Sequence, residues 1–213
     1  MEIFKYYRHN PPHLFRDGAM YMVTAGTYQR QTVINKDERK MFWYDTLKYL
    51  LDRECWRLYA WVVLDNHYHV LIGEDAVRLG KDAKSGDLAL RRGEECNDSS
   101  HCVSTSATSV PVTRLSSIIS SLHKFTSRQW NIQDKVKGRK VWWNYWDTCI
   151  TNEGSCYSRI NYIHWNPVKH GYTSLPEQFV FSSYNAFFEM DKYSLKEFEE
   201  RYPFDRVSIM DDF

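Results

Sequence analysis

Two histidines separated by one residue open the segment HYHVLIG, residues 67–73. The apolar run that follows them predicts a β-strand, in which residues i and i+2 point to the same face. His67 and His69 would therefore project together, and two neighbouring imidazoles can bind one divalent cation through a nitrogen each. A short His-x-His pattern is more often structural, with one histidine exposed and the other in a buried hydrogen-bond network.

A tyrosine and an asparagine stand four residues apart in SRINYIHWNPVKHG, residues 158–171. Tyr162 and Asn166 share one face if this segment is helical. A phenolate is a covalent nucleophile, and an asparagine carbonyl oxygen can complete a cation site begun by two histidines. In the structural alternative, Tyr162 simply packs and Asn166 precedes Pro167 at a helix end. Together with the histidine pair, the two residues suit phosphodiester chemistry: the cation activates a phosphate oxygen as a Lewis acid and the tyrosine attacks phosphorus.

The elements that must position these residues alternate between strands and helices. Apolar spacing and β-rich composition predict the helices and strands, and Asp65-Asn66 predicts a hairpin turn. The predicted order is strand 18–28, helix 35–55, strand 56–64, strand 67–73, helix 113–130, a strand at the end of 134–150, and a helix from 153 that ends near Asn166 and Pro167. This order indicates an α+β fold, with a ferredoxin-like central antiparallel sheet and helices on one face.

One domain and a tail account for the whole chain. Residues 75–112 mix charge, glycine and serine without a long period, which is typical of an insertion. We expect a single domain over residues 1–188 that contains this insertion, followed by an acidic C-terminal tail over residues 189–213. The aromatic residues of the tail predict that it folds back on the domain, and we expect it to cover the basic segment described next.

Charge is unevenly distributed although the formal net charge is only +1. Residues 114–171 hold nine Lys/Arg against three Asp/Glu, whereas residues 172–213 hold four against nine. A basic segment with interleaved aromatic residues suggests contact with a nucleic acid, because cations follow phosphates and rings stack on unpaired bases; solvated faces and a Trp-rich core are the alternatives. The predicted DNA contacts are Arg139, Lys140, Lys169, His170, Trp142, Lys124 and Arg128.

Other classes of protein find little support in the sequence. The N-terminus has no signal-peptide pattern, and no apolar run is long enough to span a membrane. The five cysteines are odd in number and form no C-x-x-C, so neither a disulfide framework nor a zinc site is expected. We expect a cytoplasmic protein that makes no membrane contact.

Several sequence motifs of this chain occur together in one protein family. WVVLDNHYHVLI, a following helix, a Trp-rich run and NYIHWNPVKHG resemble the REP-associated tyrosine transposases, which are relatives of single-tyrosine HUH transposases. The resemblance covers residues 18–187 without the insertion, and the N-P-V-K-x-G run is its more specific part. One departure is Tyr68, where the family has an aliphatic residue between the two histidines.

The resemblance implies a bacterial, nucleoid-associated enzyme with the HUH endonuclease architecture. His67 and His69 would bind Mg²⁺ or Mn²⁺ with help from Asn166, and Tyr162 would form a 5′-phosphotyrosine link to DNA. The substrate would be single-stranded DNA with an imperfect palindrome or hairpin, and the protein would act as a monomer. Two alternatives remain: a replication-initiator or relaxase-type nickase, and a non-catalytic protein that binds DNA or RNA hairpins.

Overall fold

The computed structural model describes residues 19–75, 112–190 and 192–207. The predicted insertion therefore lies almost entirely outside the described residues. The elements are β1 (Met20–Thr27), α1 (Asp37–Arg53), β2 (Trp56–Val63), β3 (His67–Glu74), α2 (Val112–Gln133), β4 (Trp142–Ile150), α3 (Glu153–Lys169), α4 (Tyr184–Met190) and α5 (Lys192–Arg201). Within the described ranges, no helix is both long and apolar enough to cross a membrane.

The four strands form one antiparallel sheet with the order β2-β3-β1-β4. β2 and β3 are joined by the tight turn that Asp65-Asn66 predicts. Two βαβ halves, β1-α1-β2 and β3-α2-β4, therefore interleave so that β1 and β3 lie side by side in the centre. This arrangement confirms the predicted α+β, ferredoxin-like fold.

One face of the sheet carries the main hydrophobic core. Helices α1 and α2 lie on this face and contact each other, as the prediction of helices on one face requires. Their buried residues include Trp43 and Leu47 from α1 and Ile118 from α2, which pack against Val23 and Val70 of the central strands. The buried face of α2 continues through Thr126 to Trp130, whereas Phe125 lies beside it and is 42% exposed.

Helix α3 covers the opposite face of the sheet, so the prediction of helices on one face holds for α1 and α2 but not for α3. Its buried residues Ile160 and Ile163 pack on Met22, Val62 and Leu71. Asn152 caps the helix N-terminus by accepting a hydrogen bond from the Ser155 backbone N–H. The helix does not stop at Asn166 but continues through Pro167 to Lys169. Pro167 has no backbone N–H to donate to the Ile163 carbonyl, so the helix continues through it with one hydrogen bond fewer near its end.

The chain after α3 returns to the free edge of β2 and then to α3 itself. Ser182 bridges to Val62, and backbone hydrogen bonds join Val63 to Phe181 and Ser183 to Trp61. Beyond α4, the tail packs on the outer side of α3. Its contacts there are a Trp165–Phe204 ring stack, Tyr157 rings against Phe198 and Tyr202, and hydrogen bonds from Asn161 to the Phe198 and Tyr202 carbonyls. The described part of the tail thus folds back as expected, with its contacts on α3.

The described cysteines differ in oxidation state, although the sequence predicts no disulfide framework. Cys55, which is buried between α1 and β2, takes part in a disulfide. The other described cysteines, Cys149 and Cys156, are free thiols. An odd cysteine count does not exclude a single disulfide, so the count alone could not settle this point.

Candidate active site

His67 and His69 lie side by side on the face of β3 that α3 covers. Their ring centroids are 5.2 Å apart, and both side chains are buried. The alternation of β3 places Tyr68 on the opposite face, in the main core. The pairing that the His-x-His spacing predicts is therefore present.

Each histidine is oriented through its Nδ1 atom. His67 Nδ1 is 2.7 Å from Asn66 Oδ1, and His69 Nδ1 is 2.7 Å from Thr24 Oγ1. In proteins, a metal-binding histidine almost always uses one ring nitrogen for the metal and holds the other in such a hydrogen bond. Thr24 and Asn66 therefore act as supports, and both were missed in the sequence, although Asn66 directly precedes His67.

Both imidazoles are held in the neutral form that binds a metal. Burial is the main cause: it lowers the pKa of His67 to about 3, with a further contribution from His170. Burial also lowers the pKa of His69 well below its usual range, with His67 as the next cause. A neutral imidazole keeps one nitrogen lone pair available as a ligand.

The position of the Asn166 side chain shows whether a cation would fit between it and His67. Its Oδ1 lies 3.3 Å from His67 Nε2. A neutral imidazole has one N–H. In the tautomer that directs this N–H from Nδ1 to Asn66 Oδ1, the lone pairs of His67 Nε2 and Asn166 Oδ1 converge. A cation that accepts both lone pairs removes their repulsion. The donor set therefore fits a divalent ion.

Among the described residues, no cluster of acidic or histidine side chains adds to these three donors. No group of three or more His, Cys, Asp or Glu in the described part of the chain is arranged to hold a metal ion. A site with two imidazoles and one amide oxygen leaves positions for oxygen atoms of water or of a phosphate.

Tyr162 points into the same site from α3. Its ring lies edge-on to His69 with the centroids 5.4 Å apart, and the side chain is only 2% exposed. Lys169 lies two helical turns further on, and its Nζ donates a hydrogen bond of 3.1 Å to the Tyr162 hydroxyl. The ammonium can balance negative charge on the phenolic oxygen. Tyr162 and Asn166 thus share one helix face, as their spacing predicts.

Two of the predicted DNA contacts lie at this site. Lys169 contacts Tyr162 as described, and the ring of His170 lies 4.8 Å from that of His67. Both side chains are exposed on their outer side. Their positions agree with a role next to the reacting phosphate, which stays a prediction.

The other predicted basic contacts are spread over the surface. Lys124 and Arg128 are exposed on α2, and Lys140 is exposed before β4. Arg139 is largely engaged within the protein, because it donates hydrogen bonds to Asn131 and Asp134. Its guanidinium therefore has a structural role that the sequence did not indicate.

Trp142 requires a correction. Its ring is 5% exposed and packs in the main core, where it stacks on His123 and its Nε1 donates a hydrogen bond to Thr126. A base cannot stack on this ring without opening the core. The core alternative is therefore the right one for Trp142.

The chain resembles known proteins in its fold more than in its sequence. No protein-family model matches the chain, and no curated sequence gives a significant match. Among solved structures, a REP-associated tyrosine transposase bound to a REP hairpin has a TM-score of 0.54 and 17% identity, over 96% of this chain and 94% of that chain. A putative transposase from Deinococcus radiodurans R1 has a TM-score of 0.38 and 15% identity, over 72% of this chain and 95% of that chain. This chain therefore shares the fold of a REP-associated tyrosine transposase.

Proposed function

We propose that this protein is a transposase-type, metal-dependent endonuclease and strand transferase that acts on single-stranded DNA at REP-like hairpins. The observation that carries the proposal is the approach of the Tyr162 ring to within 5.4 Å of His69, beside Asn166 and His67. A nucleophile and a cation site thus face the same small volume. The shared fold with a protein whose structure contains a REP hairpin supports the choice of substrate.

His67, His69 and Asn166 would hold the cation, which we propose to be Mg²⁺ or Mn²⁺. When bound, such an ion polarises a phosphate oxygen as a Lewis acid. Thr24 and Asn66 keep the two imidazoles in the correct orientation through the hydrogen bonds to Nδ1. The burial that lowers the histidine pKa values keeps protons from competing for the ligand nitrogens near neutral pH.

Tyr162 would carry the covalent step. Its phenolic oxygen forms a bond to phosphorus, the bond from phosphorus to the 3′-oxygen breaks, and the DNA is left with a 5′-phosphotyrosine and a free 3′-hydroxyl. The phenol loses its proton, and the departing 3′-oxygen takes one up. Lys169 Nζ, 3.1 Å from the phenolic oxygen, would stabilise the negative charge that develops there. Attack of another 3′-hydroxyl on the phosphotyrosine reverses these bond changes and joins two strands.

A covalent-adduct assay tests the proposal. Labelled single-stranded hairpin DNA is incubated with the full chain and Mn²⁺ or Mg²⁺, and the products are separated on a denaturing gel. We expect a slower protein–DNA band, which chelator and Tyr162→Phe both abolish. Tyr157→Phe, one and a half turns earlier on α3, is the matched control and should keep the band.

The possible outcomes separate the alternatives. Hairpin binding without an adduct, with both metals, would indicate the non-catalytic binding protein and overturn the proposal. An adduct that persists in Tyr162→Phe would show that another residue is the nucleophile. Sedimentation of the protein–hairpin complex would test the expectation that the protein acts as a monomer.

A further inference from the structure

A second group of residues outside the active site has the composition of a base-binding surface. Tyr28, which follows β1, and Trp143 of β4 contact each other with ring centroids 5.3 Å apart and an interplanar angle of 31°. Lys140 Nζ lies 4.0 Å from the centre of the Trp143 ring and 4.9 Å from that of Tyr28. Both rings are partly exposed and Lys140 is exposed. We call these three residues the aromatic platform.

The register of the sheet connects the platform to the histidine pair. His67 pairs with Gly26 on β1, and the next β1 residue, Thr27, pairs with Trp142 on β4. Trp142 and Tyr145 both pack on the main core, and the register shift between Ala25 and Thr27 leaves Trp143 and Asn144 opposite the single residue Gly26. This bulge directs Trp143 to the opposite face, where His67 and His69 lie. Gly26 stands between them on that face and places no side chain across the path.

The separation corresponds to a few nucleotides. Two strand spacings of about 4.8 Å separate β3 from β4, so the platform is on the order of 10 Å from the histidine strand. A stacked strand of DNA rises about 3.4 Å for each nucleotide. The platform therefore lies within about three nucleotides of a phosphate at the histidine pair, and closer in sequence if the strand is extended.

We propose that the aromatic platform binds an unpaired nucleobase of the DNA strand, within three nucleotides of the phosphate that Tyr162 attacks, with Lys140 on the adjoining phosphate. This inference rests on the proposed function. In this proposal, Tyr28 and Trp143 position the single strand, whereas Trp142 packs in the core and does not contact DNA.

Two properties of the aromatic platform favour a nucleotide as its ligand: the positive charge of its surroundings and the strength with which bases stack on aromatic rings. Lys135 and Lys137 are exposed in the turn that precedes Lys140, so the surface beside the platform is cationic. Stacking of a base on an aromatic ring is stronger than an exposed contact between an ammonium and a ring. A base would therefore displace Lys140 from the Trp143 ring, and the released ammonium would reach a phosphate without leaving the platform.

The first test measures affinity and stacking together. Single-stranded hairpin oligonucleotides carry the fluorescent base 2-aminopurine at one of the three positions on either side of the cleavage site. With the wild type, we expect quenching at one position when the base stacks. Trp143→Ala should remove that quenching and weaken binding about 10-fold, whereas Trp143→Phe should keep most of both. Tyr49→Ala, which alters a side chain that is 62% exposed on α1, is the control and should change neither.

The second test uses the phosphate contact. Lys140→Gln should reduce the slope of log affinity against log salt by about 1, because one phosphate contact is lost. Unchanged affinity and unchanged quenching in Trp143→Ala would overturn the inference. This result is distinct from failure of the proposed function, in which the wild type itself forms no covalent adduct.

Discussion

The two faces of β3 use neighbouring residues for opposite purposes. On the face toward α1 and α2, the Tyr68 ring is fully buried against Trp43, with the centroids 4.8 Å apart. Its hydroxyl is satisfied by a hydrogen bond of 2.9 Å to His123 Nε2. On the face toward α3, His67 and His69 are buried as well, but their neighbours are Thr24, Asn166 and Tyr162.

The difference shows where stability and chemistry are separated in this fold. Buried apolar area stabilises the first face, at roughly 25 cal/mol for each Å². Burial of imidazoles opposes folding unless hydrogen bonds satisfy them, which is the role of Thr24 and Asn66 on the second face. Substitutions on the first face should therefore change stability, and substitutions on the second should change activity.

Loss of a histidine should give the largest effect on activity. His69→Ala removes one of the proposed cation ligands. We expect the rate of adduct formation to fall about 10³-fold, which corresponds to several kcal/mol of transition-state stabilisation. The free energy of unfolding should fall by only about 1–3 kcal/mol, because the buried Thr24 hydroxyl loses its hydrogen bond to His69. Adduct kinetics and urea unfolding measure the two quantities. Global unfolding of His69→Ala would contradict the division between the faces.

Loss of Tyr68 should give the opposite result. Tyr68→Ala creates a cavity in the core and should cost about 3–5 kcal/mol of stability. Tyr68→Phe keeps the packing and removes only the hydrogen bond to His123, with a cost of about 1–3 kcal/mol. Adduct formation by Tyr68→Phe should equal that of the wild type under conditions where both are folded. A large loss of activity in Tyr68→Phe would show that the two faces are coupled.

Thr24→Val probes the support of His69 without changing the size of the side chain. Removal of the hydrogen bond to Nδ1 should weaken Mn²⁺ affinity by about 10–100-fold. Titration of Mn²⁺ followed by electron paramagnetic resonance measures this without any DNA. Thr46→Val, whose hydroxyl donates a hydrogen bond to the Phe42 carbonyl within α1, is the matched control. Equal affinities of all three proteins would show that Thr24 does not orient His69.

The smallest effect concerns pH. Burial lowers the pKa of His164 from 6.5 to about 3. Below pH 6.5, His164 is protonated in the unfolded chain but stays neutral in the folded chain. The free energy of unfolding therefore falls as the pH drops from 6.5 toward 3. Each such histidine contributes about 1.4 kcal/mol per pH unit in this window. In His164→Gln, one fewer proton is taken up on unfolding, so the free energy of unfolding should fall less steeply as the pH drops. Urea unfolding between pH 5 and 7 measures this slope, and an unchanged slope would contradict the prediction.

Much of the fold and the grouping of the candidate site residues could be predicted, because the strand and helix periods determine which side chains share a face. The strand period places His67 and His69 together, and the helix period places Tyr162 and Asn166 together. Neither period indicates which face of the sheet α3 covers, since that depends on the packing of Ile160 and Ile163 against Met22 and Leu71. The supporting roles of Thr24 and His123 likewise arise from long-range contacts.

The aromatic residues of β4 show that the sequence pattern alone does not determine which individual rings are buried. The register between β1 and β4 shifts between Ala25 and Thr27, so the strand does not alternate regularly at Trp142 and Trp143. The sequence pattern suggested only that some of these rings are core. The pairing with β1 is needed to decide that Trp142 is inside and that Trp143 is at the surface.

The distance in sequence between the two halves of the active site has a consequence for how the molecule is made. His67 and Asn166 are 99 residues apart, and the contact of Trp61 with Ser183 spans 122 residues. Synthesis begins at the N-terminus, so all four strands leave the ribosome before α3 does. A nascent chain that ends before Glu153 already contains the whole sheet and both histidines but has no Tyr162. Under the proposed mechanism, the chain cannot attach itself to DNA until its last large helix has been synthesised and has docked.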